Sequence, residues 1–273
     1  MPRDAKATDT LQAAMPFALS LALLSTLACA ADPPDPPQPP PQSAPRQYDR
    51  PVSWKRLLPN LLDDQKRIWM FPTTLAQGQN WIPTAAVLGG AAGLVALDPK
   101  TAGYFHGTQS FQGFNRVFSG NATAIGTIIA PVSLYAMGLI RKDSKMQHTA
   151  LLAGEAVADA EILTTVLKDA TKRARPASFP VHGNLADSWY DSPGSVLAGH
   201  GSFPSGHTIA AFSLATVVAR RYGHQHKWVP YAAYGAAALV GFSRVSLSAH
   251  FVSDVFMGGA LGYTIGRFAV LRD

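Results

Sequence analysis

Within twelve residues, Ser243 to Asp254 (SRVSLSAHFVSD), the chain places a serine, an arginine, a histidine and an aspartate. His250 and Asp254 stand four apart, so a helix through them sets both on one face. A carboxylate there accepts the proton on one imidazole nitrogen and leaves the other free as a nucleophile or base. Arg244, six residues before His250, is within reach of an oxyanion that the histidine attacks. A histidine and an aspartate at this spacing are also common as a plain surface pair, so the stretch takes its meaning from two others.

The first of these is Lys168 to Pro176, KDATKRARP. Lys168 and Arg175 are seven apart, two helical turns, which predicts that both project from one helix face before Pro176 closes the helix. A basic last turn also complements the helix dipole without any further purpose. The second is Gly201 to Thr208, GSFPSGHT. Its glycine and proline break the chain, and Ser205 and Gly206 open a helix whose free N–H groups and positive dipole end suit an anion. The Ser205 hydroxyl adds a donor, Gly206 admits close approach, and His207 sits at the rim. The competing reading of Ser205 is an ordinary N-cap.

Taken in order, the three stretches read Lys168-x6-Arg175-Pro176, Pro204-Ser205-Gly206-His207 and Ser243-Arg244-x5-His250-x3-Asp254. This resembles the three-part signature of the type-2 phosphatidic acid phosphatase and vanadium haloperoxidase superfamily, with no signature position substituted. The resemblance covers about Ala150 to Gly266. The block GSFPSGHT is also similar to that of secreted bacterial acid phosphatases of the superfamily, with Phe203 where those usually carry tyrosine. The resemblance implies that Lys168, Arg175 and Arg244 bind phosphate oxygens, with Ser205 and the Gly206 amide adding hydrogen bonds. It implies that His250 attacks phosphorus, that Asp254 holds the His250 tautomer, and that His207 protonates the leaving group and then activates water. The residue types fit these tasks: arginine offers phosphate a planar fork, lysine a point charge. Three cations supply the charge, so no metal or other cofactor is called for.

These residues need elements to hold them. The chain has 273 residues, 47% of them hydrophobic and only 15% charged, with a net charge of +6. No basic run interleaved with aromatics marks a nucleic-acid partner. Cys29 is the single cysteine, which excludes an internal disulfide. Thr10 to Ala31 carries no charge and ends in Ala28-Cys29-Ala30, so residues 1–31 read as an export signal. The alternatives are an uncleaved anchor, or lipidation of Cys29, although Thr26 and Leu27 are a poor lead for that. Residues 32–47 form a proline-rich spacer; eight of the sixteen residues from Ala31 to Arg46 are proline.

Residues 48–273 read as one catalytic domain of the all-α class, a bundle of about six main helices with the site at helix ends. The helical blocks are Trp81 to Leu97, ended by Asp98-Pro99, the uncharged stretch between Arg116 and Arg141, and Thr149 to Lys168. His207 to Arg220, Trp228 to Ser243 and Val245 to about Leu271 follow, and a shorter helix around Trp54 to Trp69 precedes them. Only the second block clearly has the length of a membrane span, and Glu155, Asp159 and Glu161 would be costly against lipid. The balance favours an exported domain that is soluble or lies against the membrane. Lys172 and Arg173 read as solvated charge. The 27-residue segment between the first two motifs, with His182, Trp189, Tyr190, Asp191 and His200, reads as a wall or lid that selects substrate.

The expected function is a metal-independent phosphatase acting on phosphate monoesters or pyrophosphates, foremost those of lipids, at the membrane surface or in the bilayer. A soluble periplasmic acid phosphatase and a vanadate-dependent haloperoxidase are the alternatives. The expected partner is a phosphorylated small molecule or lipid, not a nucleic acid.

Overall fold

The computed structural model describes residues 50–180, 183–186, 188–192 and 199–272. The signal and spacer readings for residues 1–47, with Cys29, and the reading of His182 lie outside the described residues. Among the described residues there are nine α-helices and no strand. They are α1 (Leu57–Trp69), α2 (Phe71–Ala76), α3 (Trp81–Gly107), α4 (Gln112–Val117), α5 (Gly120–Ile140), α6 (Ser144–Thr171), α7 (Gly206–Tyr222), α8 (Val229–Ser246) and α9 (Val252–Thr264). A π-helical turn, Ile265–Val270, extends α9. The all-α bundle with six main helices, α3 and α5 to α9, is as expected.

Local chemistry sets where the helices begin. The Ser119 hydroxyl accepts the Ala122 N–H and starts α5; the Asp143 carboxylate accepts the Met146 N–H and starts α6. α7 is the central helix and packs against α6, α8 and α9. Alanine on several of its faces permits this: Ala210 joins the core with Leu152, Ala156 and Leu163 of α6, while Ala211, Ala215 and Ala219 meet Ala233, Ala237 and Val240 of α8. On the third side, glycines let α9 approach. A β-carbon at Gly258 would stand 3.0 Å from the Ser205 carbonyl, and one at Gly266 2.7 Å from Thr216 Cβ. The second motif is thereby seated directly on the helix that carries Asp254.

Three expectations need correction. Asp98-Pro99 does not end α3, which runs on to Gly107 with Pro99 inside it. Asp98 is buried and bonded to the N-terminus of α9, and this tertiary anchoring outweighs the proline. The last helix does not start at Val245. α8 continues to Ser246, the chain turns through Leu247 to Phe251 with Ser248 at φ 52°, and α9 begins at Val252. His250 therefore lies before a helix rather than on one with Asp254. Nor do Lys168 and Arg175 share a helix face. Lys172 adopts φ 42° and ends α6, and Arg175 is extended.

Two of the three acids of α6 noted above meet partners from the N-terminal side. Asn60 of α1 and Arg50 bond Glu155, and Gln65 bonds Asp159 at 2.8 Å. By contrast α3 and α5 are long and apolar enough to cross a membrane, and only 11% and 33% of their most apolar stretches are buried. The expectation of a single block of that length is corrected to two.

Candidate active site

Four segments converge at one end of the bundle: the end of α6 with the KRARP run, the lead into α7, the end of α8, and the start of α9. Backbone hydrogen bonds lace the first two together. The Ser202 N–H donates to the Arg173 carbonyl at 2.6 Å, and the Ala174 N–H to the Ser188 carbonyl at 2.6 Å. Gly201 passes so close to α6 that a β-carbon there would lie 2.8 Å from the Lys168 carbonyl oxygen. The Ser205 N–H reaches the Asp254 carbonyl at 3.1 Å, which fixes the lead of α7 to α9.

His250 is buried in this junction. Its Nδ1 faces the Ser202 carbonyl at 2.7 Å, and the Asp254 Oδ2 is farther away at 3.6 Å. The geometry matches Nδ1–H donating to that carbonyl, with the carboxylate behind it, so the lone pair lies on Nε2. The carboxylate has its own supports. It accepts the Phe251 N–H at 2.9 Å, the Ser202 hydroxyl, and one N–H of Arg173 at 2.6 Å. Burial alone would raise Asp254, but His250, Arg173 and Ser202 outweigh it and hold it below the usual carboxylate range. Burial pushes His250 down despite Asp254, and Lys168 and Arg175 push the same way, so the ring is neutral.

Arg244 is buried at the end of α8. It donates to the Phe118 carbonyl at 2.5 Å and, through Nε, to the Ser243 hydroxyl at 3.0 Å, which fixes its plane. His207 Nε2 meets the Gly120 carbonyl at 3.1 Å. Both contacts come from the start of α5, a segment in which the sequence marked no site residue. Burial, then Arg244, His250 and Lys168, push His207 down to about 3. Burial and Arg175 lower Lys168 to about 8 and Arg244 to about 10. Three cations and two imidazoles thus crowd one end of the bundle, and their mutual repulsion adds to burial in making Lys168, Arg244, His207 and His250 costlier to charge. An anion would relieve all of them at once. Ser205 is fully buried and its hydroxyl pairs with Thr208 Oγ1 at 2.8 Å rather than capping α7. Gly206 opens α7, with Thr164 where its side chain would be. Arg175 is exposed at the mouth. Among the described residues no group of three or more His, Cys, Asp or Glu could hold a metal.

The residue that sequence reading missed is Arg173. Far from being solvated, it is among the most buried side chains in the protein. It lies over the Phe251 ring at 3.9 Å and the Trp189 ring at 4.4 Å and bonds Asp98, Ser188, Ser253 and Asp254. The only signal for it was Asp98, a lone acid closing an otherwise uncharged block. Trp189 also stacks near Phe203, at 5.3 Å, so part of the segment between the motifs supports the site from behind.

The constellation suits an anion, and it lies in the segment for which comparison with known proteins finds a match. The family model of the PAP2 superfamily matches residues 149–272. This segment is similar to the PAP2 superfamily, the type-2 phosphatidic acid phosphatases. It is 42% identical over 66 residues to a lipid A 1-phosphatase of Porphyromonas gingivalis, a match covering 24% of this chain and 15% of that one. It is 35% identical over 108 residues to phosphatidylglycerophosphatase B of Bacillus subtilis, covering 37% of this chain and 46% of that one. The matches span less than half the length of these curated relatives. A crystal structure of a transmembrane PAP2-type phosphatidylglycerolphosphate phosphatase from Bacillus subtilis superposes with a TM-score of 0.40 at 23% identity, over 76% of this chain and 94% of that one.

Proposed function

We propose that the protein is a phosphatase that hydrolyses lipid phosphate esters or pyrophosphates through a phosphohistidine, without a metal. The observation that carries this reading is the neutral, buried His250, with Nδ1 engaged and Nε2 free, in the field of Lys168 and Arg175 and beside His207, which Arg244 faces. In the first half-reaction Nε2 attacks phosphorus and the bond to the leaving oxygen breaks, while His207 delivers a proton to that oxygen. In the second, His207 takes a proton from water, the hydroxide attacks phosphorus, and the N–P bond breaks to release phosphate. The cations offset charge on the equatorial oxygens in both steps. His207 is neutral in the empty pocket, so its proton comes with the bound phosphate, whose charge favours the imidazolium.

The lipid part of the reading rests on two supports. The relatives named above act on lipid A and phosphatidylglycerophosphate. In addition, α3 reaches the site with Asp98 and α5 leaves it from Gly120, and these are the two apolar, outward-facing helices. Twenty residues of helix match the ~30 Å apolar thickness of a bilayer, so lipid around α3 and α5 sets the pocket at a membrane boundary. The uncharged N-terminal block supports export to the cell envelope.

The test is phosphate release in EDTA by the purified protein, comparing phosphatidate and undecaprenyl pyrophosphate with p-nitrophenyl phosphate and nucleotides. Preference for the lipids is expected. Equal turnover of the soluble esters would instead establish a soluble-ester phosphatase. No release at all, together with halide oxidation on adding vanadate, would replace the hydrolase reading with the haloperoxidase one.

Lys168 provides a pH signature. Its cation is present below about 8 and is lost as pH rises through that value. The kcat/KM for an anionic ester should therefore fall about tenfold per pH unit above that point, and Lys168→Arg should remove this limb. A wild-type profile that stays flat well into the alkaline range would show that Lys168 keeps its charge there and would overturn this signature.

A further inference from the structure

We infer that Arg173 is a positioning residue for the nucleophile: clamped by Asp98 and Ser253, it holds the Asp254 carboxylate and, through it and Ser202, the ring of His250. The guanidinium has a different partner for each face of its fork. Nη2 goes to Asp98 Oδ2 at 2.7 Å, Nη1 to Asp254 Oδ1 at 2.6 Å and Ser253 Oγ at 2.8 Å, and Nε to Ser188 Oγ at 3.1 Å. Phe251 and Trp189 close its two flat faces. The Arg173 carbonyl accepts the Ser202 N–H, so the same residue sets the backbone whose carbonyl binds His250 Nδ1. Asp98 in turn accepts the Ser253 N–H at 3.1 Å and the Ser253 hydroxyl. A planar fork spanning two carboxylates is a task lysine cannot reproduce, and a carboxylate so bracketed has no rotational freedom. Groups of this kind, acting through a catalytic side chain, fix its orientation and tautomer.

The charge consequence has a sign. His250 faces Asp254 from α9, Lys168 from α6, Arg175 from the run after it, His207 from α7 and Arg244 from α8, with Arg173 and Asp98 behind Asp254. Arg173 neutralises part of the field of Asp254 on the imidazole. Without it the carboxylate favours the imidazolium, and the acid limb of kcat/KM moves to higher pH. Removing the charge of Asp98 leaves Arg173 less compensated and moves the limb the other way.

The experiment compares the full-length wild type with Arg173→Met, Arg173→Lys and Asp98→Asn. Its readouts are kcat, KM, the acid limb of kcat/KM, and NMR titration of the His250 ring, assigned with a His250 variant. For Arg173→Met we expect a loss of about 10–100-fold in kcat with little change in KM, and an upward shift of about one pH unit in both limb and ring titration. Arg173→Lys should keep the wild-type limb and recover part of kcat. Asp98→Asn should lose only a few fold in kcat and shift downward. Opposite shifts from two neighbouring substitutions cannot come from lost folding, which lowers the active fraction without moving a limb, and either shift alone tests the inference if the other variant does not fold. An unmoved limb and ring titration in folded variants would overturn it, whatever the rate. The rate readout rests on the phosphatase reading, but the ring titration does not. A wild type that releases no phosphate therefore defeats that reading while the titration still decides the role of Arg173.

Discussion

His250→Ala should abolish phosphate release, with kcat reduced by about 10⁴-fold or more, and KM for residual turnover should remain near the wild-type value. The expectation follows from the division of labour in the pocket. On the proposed reading Lys168, Arg175 and Arg244 hold the anion, and their places do not depend on the His250 ring: Arg244 is fixed by Phe118 and Ser243, and Lys168 stands on the last turn of α6. Substrate should still bind, and chemistry should stop. In the wild type, a rapid acid-free quench with labelled substrate should trap a phosphoprotein that is stable to base and lost in acid, as expected of a P–N bond, and His250→Ala should trap none. A variant with near wild-type rate would sink the assignment of the nucleophile, and so would an acid-stable adduct. Neither result would touch the packing argument. The cavity left by a histidine side chain beside a fully buried Phe251 costs stability on the order of 2 kcal/mol, which a melting curve reads separately from turnover.

The same residues show why parts of the site were legible from sequence and parts were not. Motif spacing was enough to bring Lys168, His207, Arg244 and His250 together because each sits at a helix end, and helix ends are marked by short-range chemistry: the Ser-Gly opening of α7 and Pro176 beyond α6, although α6 stops earlier, at the left-handed Lys172. Spacing failed where the argument assumed one continuous helix. The step from Lys168 to Arg175 and that from His250 to Asp254 both cross a break. In each case the groups meet by returning through a turn rather than by helical period. Arg173 was out of reach for a deeper reason. Its meaning depends on Asp98, 75 residues earlier, and on two aromatic rings from different segments. In a local reading, an arginine among KRAR is a charge in solvent. The apolar length of α3 was likewise cut short by a proline rule that tertiary anchoring overrides.

The second large effect should appear at His207, and its size should depend on the leaving group. His207→Ala is expected to lower kcat by about 10³-fold on an alkyl or lipid phosphate, whose departing alkoxide needs a proton, and by less than tenfold on p-nitrophenyl phosphate, whose phenolate leaves without one. On the proposed reading, a contrast between the two histidines assigns the acid to this residue rather than to His250. His250 has Nδ1 tied to Ser202 and Asp254 and spends its remaining nitrogen on phosphorus. His207 has one nitrogen on the Gly120 carbonyl and stands between Arg244 and Lys168. Burial and those cations hold it neutral until an anion arrives, so the proton becomes available only when there is a leaving group to receive it. The contact with Gly120 also places His207 at the start of α5, one of the two long apolar helices, which on the proposed reading is where a lipid alkoxide departs. Single-turnover rates on the two substrates, measured with wild type and variant, separate the proton from binding. Equal losses on both would remove His207 as the acid and leave it as one more group lining the anion pocket.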